Sequence, residues 1–227
     1  MPEKKELSPA LGTRYNPVMI KVLLCDDHPV VREGLKVAFA QTPDIRVVAE
    51  AASGAQLLEL LPSTRCSAII LDISLPGASG LEVLKDLANR GSGVPVLVLS
   101  MHPESQYALR ALRLGAAGYL PKDSPMPELI AALRKVASGG KYITAGQGEL
   151  LAEELRRGRK PPIERLSDRE LQVLLELASG QGIKQIAHKL CISPSTVGSH
   201  RTRLLAKLGL RTGADLIRFA VENQLLE

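Results

Sequence analysis

Ile69-Ile70-Leu71-Asp72-Ile73-Ser74-Leu75-Pro76-Gly77 decides the reading of this chain, because an aliphatic run ends on one carboxylate and passes at once into turn residues. A short β-branched and aliphatic run bounded by Pro and Gly reads as a strand covered on both faces, as in a parallel α/β sheet. Ligands of such sheets bind beyond the carboxyl ends of the strands, where Asp72 stands. Asp is also a common cap or turn residue after a strand. Asp72 therefore gains meaning only from its companions.

Three further runs supply them. Ile20-Lys21-Val22-Leu23-Leu24-Cys25 ends in Asp26-Asp27, Val94-Pro95-Val96-Leu97-Val98-Leu99 ends in Ser100, and Gly118-Tyr119-Leu120-Pro121 ends in Lys122. Laid parallel, these strands converge on one edge that carries three carboxylates, a hydroxyl and an ammonium. Clustered carboxylates repel unless a cation lies among them, and an oxygen-only donor set suits a hard ion such as Mg²⁺. Asp72 is then available as a nucleophile. Carboxylates do accept phosphoryl groups when a metal and a lysine neutralise the transferred charge.

In this order and spacing the residues resemble the receiver domain of bacterial two-component response regulators, over about residues 19–140. The resemblance implies that Asp72 is the phospho-acceptor and that Mg²⁺ is held by Asp27, Asp72 and the Ser74 carbonyl, with Asp26 helping through water or charge. It further implies that Ser100 hydrogen-bonds the phosphoryl oxygens, that Lys122 pairs with them, and that Tyr119 changes rotamer on activation. Ser74 and His102 would border the path of water toward the acyl phosphate. Many receivers follow the lysine with proline, whereas here Pro121 precedes Lys122 and Asp123 follows it. No cis peptide is expected after Lys122.

The pattern along the chain agrees. Pro29–Gln41, Ser53–Leu61, Ser79–Asn89, Pro103–Leu114 and Pro127–Ser138 carry apolar residues at helical spacing, and each follows a strand-like run. Ser53-x-x-Gln56 has the form of a capping box. Five alternating strand and helix units require right-handed crossovers and a parallel sheet with helices on both faces. The strand order 2-1-3-4-5 is implied by the resemblance. Residues 141–162 read as a linker with a possible short helix at Glu149–Arg156. Its basic run Arg157-Gly158-Arg159-Lys160 is taken as a solvated tether, with phosphate contact as the alternative.

At 227 residues the chain is long enough for two domains. It has no apolar run of the ~18 residues a membrane helix needs, and residues 1–18 lack the apolar core of a secretory signal. Three scattered cysteines, Cys25, Cys66 and Cys191, point to reduced thiols and a cytoplasmic setting. The four histidines are dispersed and are expected on surfaces or helix faces. Charge is uneven: 15 basic residues face 14 acidic ones up to Gly140, and 14 face 10 beyond it. A basic second half favours a polyanionic partner.

That half opens with Leu166-Ser167-Asp168-Arg169-Glu170-Leu171, containing the capping box Ser167-x-x-Glu170. Ile183, Ile186, Ala187 and Leu190 share a helix face, Cys191-Ile192-Ser193 reads as a turn, and Pro194 takes a helix-first position. On the second helix Ser195, Ser199 and Thr202 point away from Val197, Leu204 and Leu208, bordered by Arg201, Arg203 and Lys207. Such a face suits a major groove, with small hydroxyls at base edges and cations on phosphates. Thr196-Val197-Gly198-Ser199-His200-Arg201-Thr202-Arg203-Leu204-Leu205-Ala206-Lys207-Leu208 resembles the tetrahelical helix-turn-helix of NarL/FixJ (LuxR-type) regulators over about residues 163–227. Gly198 and Thr202 stand where many relatives carry bases.

The expected architecture is a doubly wound parallel (βα)5 receiver domain followed by an all-α tetrahelical helix-turn-helix domain: 1–18 extension, 19–140 receiver, 141–162 linker, 163–227 DNA-binding. The expected function is phosphorylation-controlled, DNA-binding transcription regulation rather than an enzyme activity. A sensor histidine kinase would donate the phosphoryl group, double-stranded DNA would be bound by a homodimer through Lys184, Ser195, Thr196, Ser199, Arg201, Thr202, Arg203 and Lys207, and no membrane would be entered. Two alternatives are an aspartyl-phosphate phosphotransferase or phosphatase and a phosphorylation-independent regulator with a protein-binding receiver. Haloacid-dehalogenase-type enzymes place a second Asp where Ser74 stands here.

Overall fold

The computed structural model describes residues 19–157, 162–223 and 225. The expected N-terminal extension and most of the basic tether, residues 158–161, lie outside the described residues. Strands β1 (Ile20–Cys25), β2 (Ile45–Ala51), β3 (Ala68–Leu71), β4 (Val96–Ser100) and β5 (Gly118–Pro121) form one parallel sheet in the order β2-β1-β3-β4-β5. β3 and β4 are buried along their whole length, which explains their continuous apolar composition.

Alternate strand residues feed two apolar layers. Val22, Leu24, Ile70, Leu97 and Leu99 pack with Leu35 and Phe39 of α1 (Pro29–Ala40) and with Leu129, Leu133 and Val136 of α5 (Met126–Ala137). Leu23, Ile69, Leu71 and Val98 pack with Leu57 of α2 (Gly54–Leu60), Leu81, Leu84 and Leu87 of α3 (Gly80–Asn89), and Tyr107, Ala108 and Ala111 of α4 (Glu104–Arg113). Cys25 belongs to this second layer, and burial pushes its thiol up to about 12, so it stays an inert core thiol.

The helix starts follow local chemistry. Ser79 caps α3 through a reciprocal pair with Glu82, an arrangement worth about 1 kcal/mol. At α2 the expected box is half made: Ser53 Oγ accepts the Gln56 N–H at 3.3 Å, while the Gln56 carbonyl accepts from Ala52 at 2.7 Å rather than from Ser53. Gly80 is the one residue that fits its place, since a Cβ there would lie 2.0 Å from the Asp72 carbonyl oxygen.

The linker begins as a longer helix than its sequence announces. α6 runs Ala145–Arg157 despite Gly146 and Gly148, and it packs on α4. Its anchor is Gln147, fully buried, whose Nε2 donates to the Tyr119 carbonyl at 2.8 Å. Thr144 Oγ1 donates to Glu104 of α4 at 2.8 Å.

Four helices follow: α7 (Asp168–Ala178), α8 (Ile183–Lys189), α9 (Pro194–Leu208) and α10 (Gly213–Glu222). Ser167 and Glu170 make the expected capping box. Ser193 caps α9 with Pro194 at its first position. The turn between α8 and α9 holds Cys191 at φ 52°, in the left-handed region. Leu171, Leu174, Ile186, Val197, Leu204 and Leu216 form the centre of this bundle. Among the described residues, no helix is long and apolar enough to cross a membrane.

Candidate functional site

The carboxyl ends of β1, β3, β4 and β5 bring the expected residues together. The loops leave the sheet in register: the Asp72 N–H bonds to the Cys25 carbonyl at 2.8 Å, Asp26 N–H to Ala51 at 3.1 Å and Lys122 N–H to Ser100 at 2.7 Å. Lys122 Nζ therefore arrives between two carboxylates, 2.8 Å from Asp72 Oδ2 and 2.6 Å from Asp26 Oδ2. Burial opposes the Lys122 charge, but Asp72 and Asp26 outweigh it and its pKa is raised. Asp72 is 1% exposed; burial pushes its carboxyl up, against the pull of Lys122.

The other Asp72 oxygen, Oδ1, accepts the Ser74 N–H at 3.2 Å. Ser100, fully buried, accepts the His102 N–H at its Oγ, 3.2 Å away. Tyr119 is buried as well and its hydroxyl donates to the His102 carbonyl at 2.7 Å. Burial pushes this phenol well above its ordinary range.

Of the two histidines at this edge, His28 keeps the exposed position expected of it and His102 does not. His28 Nδ1 stands 3.2 Å from Asp26 Oδ1 and 2.8 Å from Asp27 Oδ1, although more than half its side chain is in solvent. His102 does not point away from the protein. Its Nε2 is 3.2 Å from Ser74 Oγ, its ring lies 4.8 Å from that of Tyr107, and burial lowers its pKa.

Ligand atoms of Asp26, Asp27, His28 and Asp72 all lie within 4.8 Å of one another. Asp27 Oδ1 is buried and lacks a hydrogen bond among the described residues, the nearby His28 nitrogen lying off the required geometry. An orphaned carboxylate oxygen beside two other carboxylates fits a hard divalent cation. A cluster of this kind at the carboxyl edge of a parallel sheet, with a lysine across from the buried aspartate, is equipped to take a phosphoryl group.

Two families of known proteins match the chain. Residues 22–134 match the family described as response regulator receiver domain, and residues 164–220 match bacterial regulatory proteins, luxR family. The chain is 42% identical over 198 residues to the transcriptional regulatory protein UhpA of Salmonella typhimurium, covering 87% of this chain and 96% of that protein. It is 34% identical over 209 residues to the response regulator UvrY of Escherichia coli, covering 91% and 96%. The chain is a two-component response regulator of the NarL/FixJ family. Its function in that family is phosphorylation-controlled regulation of transcription. Among solved structures it resembles RcsB from Salmonella enterica serovar Typhimurium bound to promoter rprA in the presence of phosphomimetic BeF3-, at 27% identity and a TM-score of 0.58, covering 88% of this chain and 98% of that one.

In this response regulator the face of α9 is open. Ser195, Ser199, Thr202 and Arg203 are exposed, as is Lys184 on α8, while Thr196 and Arg201 are half-buried. Ser199 Oγ donates to the Ser195 carbonyl and Thr202 Oγ1 to that of Gly198, both at 3.1 Å. Each hydroxyl therefore keeps lone pairs for a base-edge donor and gives up a helix bond only if it must donate. Lys207 is already engaged, its Nζ 2.6 Å from the buried Glu170 carboxylate.

α7 touches the receiver through residues on the side opposite its apolar stripe. Arg169 Nη2 donates to the Gly77 carbonyl at 3.1 Å and to that of Leu190 at 2.6 Å. Gln172 Nε2 reaches the Ile73 carbonyl at 3.5 Å. From the receiver side, Arg110 of α4 bonds the Leu166 carbonyl and pairs with Asp168 at 3.2 Å, and Gln106 Nε2 donates to the Leu225 carbonyl at 2.8 Å. The sequence offered no signal for this contact beyond polar residues on a helix whose other side is apolar.

Proposed function

We propose that Asp72 is the phospho-acceptor and that a sensor histidine kinase is its donor. The observation that carries the reading is Lys122, whose ammonium joins Asp72 to Asp26 at 2.8 and 2.6 Å on the carboxyl edge of the sheet. An Asp72 oxygen attacks phosphorus, the donor leaves with its bonding electrons, and Lys122 turns from the carboxylate to the new phosphoryl oxygens. Mg²⁺ bound by Asp26, Asp27, Asp72 and the Ser74 carbonyl would neutralise charge on the transferred group. Ser100 Oγ would donate to a phosphoryl oxygen, and Tyr119 would respond with a change of rotamer. Residues 19–140 form the receiver, 141–162 the linker and 163–227 the DNA-binding domain in this reading, and the regulator acts in the cytoplasm.

The DNA-binding domain engages a major groove with α9, in which Ser199, Thr202 and Arg201 meet bases while Lys184, Arg203 and Lys207 meet phosphates. Ser195 and Thr196 add contacts at the start of the helix. A homodimer forms on DNA through α10, where Ile217 and Val221 are exposed apolar residues at helical spacing.

Acetyl phosphate with Mg²⁺ tests the acceptor directly. Intact mass should rise by one phosphoryl group in the wild type, and neither Asp72→Asn nor wild type in EDTA should show the increase. Retention of the increase in Asp72→Asn moves the acceptor elsewhere.

A further inference from the structure

Glycine inside a helix is unfavourable, since it gives up more backbone freedom on folding than any other residue and only proline forms helix less readily. Gly198 stands in the second turn of the 15-residue α9, and nothing within the described residues requires it there. Gly77, Gly180 and Gly209 hold a positive φ, and Gly54 and Gly80 have a neighbour where a Cβ would stand. Gly198 has neither reason: its φ is not positive, and an added Cβ would meet no atom within 4 Å. Gly34 and Gly148 are as open, so openness alone assigns no role.

What sets Gly198 apart is its place on α9. Ser195, three residues before it, and Thr202, four after it, are its neighbours one turn away on the outer face, and both are exposed. Each is tied down within the chain. Ser195 Oγ lies 2.7 Å from Ser193 Oγ, and Thr202 Oγ1 donates to the Gly198 carbonyl at 3.1 Å. The second bond fixes the Thr202 rotamer, and with it the position of that residue's methyl group. The absent side chain therefore leaves a notch about one methyl group deep, floored by the Gly198 Cα and bordered by Thr202. It has no free donor to offer, because the Thr202 hydroxyl hydrogen is already engaged. The apolar group that base edges display in a major groove is the 5-methyl of thymine, and its size and chemistry match the notch.

We infer that Gly198 is a specificity-determining residue of α9, and that its notch receives the 5-methyl of a thymine. The inference rests on α9 being the helix that enters the major groove. A side chain at position 198 fills the notch and holds the helix off that base, while it improves the helix itself. Stability and sequence preference are thus opposed at one residue, a combination that a packing role would not produce.

The test uses full-length protein with acetyl phosphate and Mg²⁺, and a duplex that it selects from a random pool. Each thymine of that duplex is replaced in turn by deoxyuridine, which removes the methyl and keeps the base pairing. In the wild type, replacement of at least one thymine should weaken binding about fourfold, the contribution of one buried methyl. Gly198→Ala should bind the thymine duplex about fivefold more weakly or worse, the low end for a mismatched base pair. It should lose the distinction between thymine and uracil at that position, keep it at any other, and melt at a higher temperature than the wild type. A wild type indifferent to every methyl, a Gly198→Ala that still distinguishes the same thymine, or a Gly198→Ala that melts lower overturns the inference. If Ser199→Ala and Thr202→Ala both select the wild-type sequence, the groove is read from another element, and the assignment of α9 is overturned together with this inference.

Discussion

Arg110→Ala should loosen the two domains without disturbing either core. The side chain projects from α4, bonds the Leu166 carbonyl and pairs with Asp168 at 3.2 Å, with both charged side chains less than one-fifth exposed. A hydrogen bond from a charged donor contributes about 1.5–3 kcal/mol. A half-buried ion pair adds at most about 1 kcal/mol. Against this stands Arg110 Nη1, buried without a partner among the described residues, which reduces the net gain. Burial also holds the Asp168 carboxyl above its ordinary pKa, so losing Arg110 leaves that group strained until the contact opens. The balance is about 2–3 kcal/mol, or a docking constant weakened about 30- to 150-fold at 1.4 kcal/mol per decade.

Two measurements read that change. Amide exchange in the Ile73–Gly77 loop and in α7 should accelerate, while exchange in β3 and β4 stays as in the wild type. The initial rate of phosphoryl uptake from acetyl phosphate should rise, because Asp72 is 1% exposed in the docked chain and α7 is bonded to the Ile73 and Gly77 carbonyls that follow it. Wild-type exchange and wild-type uptake in Arg110→Ala would refute the reasoning, since no other role of this side chain hides Asp72.

Arg203→Ala should weaken binding to all duplexes alike and lower the salt slope by about one unit, whereas Ser199→Ala or Thr202→Ala should change which sites are selected from a random pool. Lys207→Ala should lower the melting temperature of the DNA-binding domain as well as its affinity, because Lys207 neutralises the buried Glu170 carboxylate at 2.6 Å. Phosphorylation should strengthen binding to a duplex with two half-sites far more than to one with a single half-site; equal gains on both would show that the receiver acts on each α9 separately.

The strands and the acidic edge were legible because each functional residue directly follows an apolar run, so covalent adjacency fixed its place at the sheet edge. Asp26, Asp27, Asp72, Ser100 and Lys122 needed only parallel strands to meet. The helix starts read as capping boxes were legible for a similar reason, since Ser167 and, in part, Ser53 act on neighbours three residues away. α6 was underestimated because Gly146 and Gly148 lower helix propensity, and the compensation comes from tertiary bonds of Thr144 and Gln147 to α4 and β5. Arg169, Gln172 and Glu176 could not be placed at all. On α7 they occupy what periodicity marks as the outward face, and only the arrival of a second domain makes that face an interior.

That double use of α7 bears on how control works. Its apolar side holds the four-helix core through Leu171, Leu174 and Leu175, and its polar side holds the receiver through Arg169 and Gln172. The residues proposed to face the groove lie on a different helix, and of these Ser195, Ser199, Thr202 and Arg203 are open in the docked chain. Docking therefore does not act by covering the reading face. What it fixes is the orientation of that face relative to the receiver, and hence where a second copy can stand. A dimeric reader needs two such helices about one DNA turn, roughly 34–36 Å, apart. A receiver held against α7 travels with each DNA-binding domain and would constrain that spacing, while Ile217 and Val221 of α10, the face proposed for dimerisation, are exposed even in the docked chain. In the proposed homodimer, control would then fall on assembly over two half-sites rather than on the contact any one α9 makes with its bases.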